Sequence, residues 1–85
     1  MKVLVPGALR SYTGASRVEA AGDTLTTLFD DLERRHPGLR FRVVDERNVL
    51  RPNMRVFVNG RCVRDLGHAL RPDDDVAIVL ALSGG

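Results

Sequence analysis

One stretch of this 85-residue chain carries a helical hydrophobic period over three turns, and it restricts what the rest can become. In LTTLFDDLERRH (25–36), Leu25, Leu28, Phe29 and Leu32 recur at i, i+3, i+4 and i+7, which lines them up as one apolar stripe. Asp30, Asp31, Glu33 and Arg34 fall mostly off that stripe, and Arg35 and His36 sit in the last turn, where positive charge suits the helix dipole. Thr24 or Asp23 can cap the start, because a side-chain oxygen there accepts from the open N–H groups of the first turn. Pro37-Gly38 ends the segment. A single helix of this length covers one face of one sheet, so the remaining apolar residues must be organised as strands around it.

The strands are legible by alternation and by turn chemistry. KVLV (2–5) is a short β-branched run, PGALRSYTGAS (6–16) reads as a long turn, and RVEAA (17–21) can return as the second arm of a hairpin. MRVFVNG (54–60) is a strand closing on Asn-Gly, the strongest short hairpin signal, and RCV (61–63) is its short return. DLGHALRPDDD (65–75) reads as a loop, and VAIVLAL (76–82) as the final strand. Residues 39–53, LRFRVVDERNVLRPN, fit neither period: Phe41 and Val43 alternate with Arg40 and Arg42, whereas Leu39, Val43 and Val44 fit one helical turn. They are expected to be irregular or briefly helical. The order of two hairpin arms, a crossing helix and further strands predicts an α+β domain over residues 1–82. Its mixed sheet would carry one main helix on one face, a β-grasp arrangement followed by a flexible Ser-Gly-Gly tail at 83–85.

Parity separates the two faces of that sheet. Val3 and Val5, Val56 and Val58, and Val76, Ile78, Leu80 and Leu82 form all-aliphatic sets that must meet the helix stripe. The other parity places Leu4, Phe57, Ala77 and Val79 on the outer face, framed by Lys2, Arg55 and Asn59. With no second long helix to cover it, this apolar patch reads as a partner-docking face.

Composition excludes several classes. With 13 basic and 11 acidic residues the charge is only +2, and among the basic residues Lys2 alone is a lysine. No basic block of the kind that marks a nucleic-acid tail is present. Arg40, Arg42, Arg47, Arg51 and Arg55 keep an RNA-binding reading open, but Tyr12, Phe29, Phe41 and Phe57 are the sole stacking candidates, and Phe29 is spent on the helix stripe. Cys62, the single cysteine, permits neither an internal disulfide nor a multi-cysteine zinc site. Catalysis by it would need activation by His36 or His68. Asp73-Asp74-Asp75 lacks the ligand spacing of a calcium loop and reads as a solvated turn. No apolar run spans a membrane, and no secretory leader is recognisable, so a cytoplasmic location is expected.

GDTLTTLFDDLERRHPG (22–38), VFVNG (56–60), RPDDDVAIV (71–79) and the closing SGG (83–85), in this order and within this length, resemble the MoaD/ThiS-type sulfur-carrier proteins, a ubiquitin-like β-grasp family. That family includes the small subunit of molybdopterin synthase and the sulfur carriers of thiamin, cysteine and some secondary-metabolite pathways. Two positions depart from its pattern. Asp73 stands where a glycine is usual, a place where aspartate tolerates positive φ, and Leu80-Ala81 stand where prolines are common.

The resemblance implies a function for the ending. A partner enzyme of the ubiquitin-activating type would use ATP to adenylate the Gly85 carboxylate. A sulfur donor would then displace AMP, leaving a thiocarboxylate that gives its sulfur to an accepting synthase. The chain itself would be a cosubstrate with no catalytic residue, no metal and no cofactor of its own, and neither nucleic acid nor membrane would be a partner. Gly84 and Gly85, without Cβ atoms, pass through a narrow channel and leave the carbonyl carbon open to attack. Ser83 and Leu82 would join sheet to tail, and Phe57, Val79, Ala77, Leu4 and Arg55 would form the docking face. A covalent protein modifier would use the same Gly85 adenylate and pass it to a lysine instead.

Overall fold

The computed structural model describes residues 1–81. Its elements are β1 (Lys2–Leu4), a 3-10 turn (Gly7–Leu9), α1 (Arg10–Thr13), β2 (Arg17–Glu19), α2 (Leu25–Arg35), α3 (Leu39–Val43), β3 (Met54–Val58), β4 (Arg61–Val63) and β5 (Asp75–Leu80). The strands form one mixed sheet in the order β2-β1-β5-β3-β4. Its centre is the parallel pair β1 and β5, with Val3 opposite Val76. The outer pairings are antiparallel, Val3 opposite Val18 and Val56 opposite Ile78. This is the ubiquitin-like β-grasp, with α2 crossing one face.

Why α2 forms there is visible at its start. Thr24 is the N-cap, and its hydroxyl accepts from the Thr27 N–H at 3.2 Å while the Thr27 hydroxyl accepts from the Thr24 N–H at 3.0 Å. This reciprocal box satisfies two of the four N–H groups that a helix start leaves open. Gly22 sits against the first turn so closely that a Cβ there would lie 2.4 Å from the Leu28 nitrogen. The Asp31 carboxylate reaches back to the Ala21 N–H at 2.8 Å and fastens the β2–α2 connection to the helix side. The core follows from these constraints: Leu25, Leu28, Phe29 and Leu32 are buried together with Val3, Val5, Val56, Val58, Val76 and Ile78, as parity requires.

Several expectations are corrected. The supposed long turn at 6–16 is built from two short helical turns, which bury Leu9. Of the two alternatives left open for 39–53, the brief helix holds at 39–43, because Leu39 and Val43, one turn apart, both reach the core, and the Glu33 carboxylate accepts from the open N–H groups of Gly38 and Arg40. The strand expected at 17–21 stops at Glu19, and α2 stops at Arg35, with His36 as its C-cap. The strand expected at 76–82 begins one residue earlier and stops at Leu80, whose partner is Met54; Leu82 lies outside the described residues. The loop at 64–74 is less detached than its composition suggests. Leu66 and Leu70 are buried, and its carbonyls at Leu66 and His68 accept from the N–H groups of Thr26 and Leu25.

Two turns fix the register near the outer face. Asn59 and Gly60 both have positive φ, 51° and 84°, which closes the two-residue β3–β4 hairpin with Val58 opposite Arg61. The turn before β5 needs no such residue. The non-glycine residues with positive φ among those described are Asn48 and Asn59, so Asp73 does not take the left-handed conformation that the family's glycine pattern suggests. The turn is held instead by Asp74, whose carboxylate accepts from the Arg71 N–H at 2.8 Å and from the Asn59 side-chain amide at 2.9 Å. The Arg71 backbone bond, then the Asn59 amide, keep its pKa below the ordinary carboxylate value.

Candidate functional site

The sheet face opposite α2 has a regular build. Register places Arg17, Leu4, Ala77, Phe57 and Cys62 side by side across all five strands. In the next row Val79 stands opposite Arg55. Leu4 and Val79 are 41% and 39% exposed, while Phe57, Ala77 and Arg55 are half-buried by their neighbours. A shallow concavity of about 550 Å³ opens on this face, lined by Leu4, Phe57 and Ala77, with Lys2, Arg17 and Asp75 at its edge. The five residues expected to dock a partner are thus brought to one face, in two adjoining rows.

Two members of the first row were missed from sequence. Arg17 and Cys62 occupy its ends, and both could have been placed by the same parity argument. An Asn-Gly loop of two residues puts residue 58 opposite 61, and therefore 57 opposite 62. Asn59, expected among the polar groups framing the patch, is spent on the fold: its side chain donates to Asp74 and accepts from the Asp75 N–H at 2.9 Å. Cys62 is exposed on this face, whereas His36 caps the end of α2 and His68 lies in the loop bonded to the first turn of α2. The structure therefore places neither histidine beside the thiol. Among the described residues no cluster of three or more His, Cys, Asp or Glu side chains is arranged to hold a metal ion. No helix among them is long and apolar enough to cross a membrane.

The direction in which the face leads is set by β5. It begins at Asp75, beside the Asp74 turn, and ends at Leu80. The Ala81 N–H then donates to the Asn53 carbonyl at 2.8 Å, so the chain is still held to the start of β3 at that point. Leu82, Ser83, Gly84 and Gly85, expected to enter a partner, lie outside the described residues.

Comparison with known proteins agrees with this geometry. A model of the ThiS family matches residues 3–85. A chain in the crystal structure of the Amycolatopsis orientalis BexX/CysO complex is 36% identical, with a TM-score of 0.91, covering 99% of this chain and 98% of that one. Mycobacterium tuberculosis CysO is 33% identical, with a TM-score of 0.91 over 95% of this chain and 98% of its own. SAMP1 from Haloferax volcanii is 31% identical, with a TM-score of 0.79 over 100% of this chain and 98% of its own. No curated protein sequence matches the chain.

Proposed function

The chain belongs to the ThiS family of ubiquitin-like sulfur-carrier proteins, and from that premise we propose that it carries sulfur on its Gly85 carboxylate. The observation that supports this most directly is the whole-length likeness to CysO together with a Ser-Gly-Gly ending. In the proposed cycle a partner enzyme positions the carboxylate oxygen on the α-phosphorus of ATP. An acyl-adenylate forms and pyrophosphate leaves. Sulfide adds to the acyl carbon and expels AMP, which leaves Gly85 as a thiocarboxylate. A persulfide donor would give an acyl disulfide instead, from which a thiol of the partner, itself ending in a disulfide with the donor sulfur, releases the same thiocarboxylate. Adenylation is needed because a carboxylate oxygen is a poor leaving group.

The fold's contribution is presentation. Leu4, Ala77, Phe57 and Val79 offer the partner an apolar surface on the strands at the centre of the sheet, and β5 runs from that surface toward the tail. ATP and the sulfur donor belong to the partner, and the loaded chain then meets a sulfur-accepting synthase.

A second reading is favoured by the likeness to SAMP1, a small archaeal modifier protein: the same adenylate would be passed to a lysine of another protein. The carrier reading ranks first because the likeness to CysO is closer in both identity and TM-score.

The test is intact mass after incubation with ATP, a sulfur source and the adenylating enzyme. The wild-type chain gains the mass of sulfur replacing oxygen. Removal of Gly85 leaves a carboxylate about 3.5 Å short, and a 1 Å misplacement already costs about a hundredfold, so sulfur gain is lost. The melting temperature stays, since the described core is assembled from residues up to Leu80. A truncated chain that gains sulfur at the wild-type rate would overturn the carrier mechanism. Recovery of Gly85 in isopeptide linkage, with no thiocarboxylate, would establish the modifier reading in its place.

A further inference from the structure

A second concavity, of about 620 Å³, lies at the end of the sheet where β5 finishes. Leu9 and Met54 are among its buried lining residues, and Tyr12, Phe41, Arg42 and Arg51 stand around them. We infer that this arginine–aromatic cleft seats an acidic segment of the enzyme that activates the tail. The inference rests on the sulfur-carrier reading for the identity of the partner, and on the cleft itself for the partner's chemistry.

Both arginines are held ready. The Arg51 guanidinium lies 4.6 Å from the centre of the Phe41 ring, and its Nε donates to the Phe41 carbonyl at 2.7 Å. The Arg42 guanidinium lies 5.8 Å from the centre of the Tyr12 ring, and its Nε donates to the Tyr12 hydroxyl at 2.7 Å. Among the described residues these are the only side-chain hydrogen bonds either guanidinium makes, and neither has a carboxylate partner. Four arginines elsewhere do pair, Arg34 and Arg35 with Asp31, Arg40 with Asp30 and Arg47 with Asp45. Arg10, Arg17, Arg55, Arg61, Arg64 and Arg71 lack an ion pair among the described residues as well, but Arg42 and Arg51 are the ones held over aromatic rings. Arg42 and Arg51 therefore present their terminal nitrogens as preorganised forks, the geometry that takes a carboxylate with two parallel bonds. Among the described residues no carboxylate lines the cleft to compete.

Position supplies the link to the tail. Asn53 and Met54 line the cleft; the Asn53 carbonyl bonds Ala81, and Met54 pairs with Leu80. An enzyme that grips the chain beyond Ala81 must lie next to it. At the other end of β5 stand Asp73, Asp74 and Asp75. The strand that carries the tail thus runs from a turn of mixed charge, where Asp74 and Asp75 stand with Lys2, Arg61 and Arg71, to a cleft of guanidinium groups with no carboxylate lining it among the described residues, so an acidic surface is drawn to the tail end. Phe41, 58% exposed, adds an apolar contact for a side chain between the acids. An RNA strand is the poorer occupant, because Tyr12 and Phe41 are, among the described residues, the only lining ones that could stack on bases, and a guanidinium takes one face of each.

The experiment uses the full chain, labelled with nitrogen-15 and titrated with an oligoglutamate peptide that contains leucine. The expected result is saturable shifts at Tyr12, Phe41, Arg42 and Arg51, vanishing in 1 M salt, where the screening length falls to about 3 Å. R42E/R51E, and separately R42Q/R51Q, should weaken the peptide about tenfold or more, while R64E, in the loop after β4, should not. The same variants should slow sulfur gain with the adenylating enzyme. No saturable shift in the wild-type chain, shifts scattered over other arginines, or tighter binding of an oligouridylate of equal length overturns the inference. So does R42E/R51E that is folded and gains sulfur at the wild-type rate. A wild-type chain that binds the peptide at the cleft and never gains sulfur refutes the carrier reading and leaves the acidic ligand of the cleft established.

Discussion

Leu28→Ala is the sharpest test of how this domain is held together. Leu28 is fully buried in the stripe of α2, in one cluster with Val3, Val5, Val56, Val76 and Ile78. Its backbone cannot move inward to fill a void: its N–H is bonded to the Thr24 carbonyl at 2.9 Å, and Gly22 is packed against its nitrogen and Cα. The surrounding side chains are mostly β-branched and stiff at χ1, so they too collapse poorly. Loss of a buried leucine then costs the transfer term plus a cavity term, roughly 3 kcal/mol within the usual range of about 2–5. A domain of this length has about 4–13 kcal/mol in total, and each kcal/mol moves the melting temperature by about 4–8 °C. The expected fall is about 12–24 °C, read by circular dichroism or calorimetry. Val79→Ala is the internal standard. At 39% exposure on the opposite face it should cost less than about 1 kcal/mol. A Leu28→Ala chain that melts within about 2 °C of wild type, or a Val79→Ala chain that melts as early as Leu28→Ala is expected to, would refute the assignment of faces.

Phe57→Ala and Val79→Ala should each slow ATP-dependent sulfur gain, Phe57→Ala by about tenfold or more, while the folded fraction stays near wild type; normal rates would remove the outer face from docking. Gly22→Ala should destabilise by about 1–3 kcal/mol, because its Cβ would meet the Leu28 backbone at 2.4 Å, and an unchanged melt would show that the β2–α2 connection can shift. Asp31 is held at a pKa of about 2, below its usual 3.8, first by the Ala21 N–H and then by Arg34 and Arg35. Its folded pKa is the lower one, so its stabilisation is complete above about pH 5 and fades as the pH falls through 3.8 toward 2. The gap in stability between wild type and Asp31→Asn should therefore close over that acid range, and a gap that widens on acidification would contradict the assignment.

The sequence by itself determined whatever depends on near neighbours. The 25–36 stripe, the Thr24 cap and the Asn59-Gly60 turn are settled within a few residues, and alternation sorted Val3, Val56 and Ile78 from Leu4, Phe57 and Val79 before any pairing was known. The Ser-Gly-Gly ending is likewise a property of the chain, whatever fold precedes it. Tertiary structure decided what depends on distant partners. Residues 39–43 satisfied two periods equally, and helix won because Leu39 and Val43 can both reach a core whose other walls are α2 and the sheet. Leu66 and Leu70 looked like loop residues until the backbone of their loop met the start of α2. Arg42 and Arg51 read as scattered charges because the residue that orients Arg42, Tyr12, lies 30 positions away. Their proximity to Ala81 exists only once β5 has inserted between β1 and β3. Local sterics and hydrogen bonds are written in consecutive residues, whereas a surface assembled from segments 12, 41–55 and 80–81 comes into being only when the sheet closes.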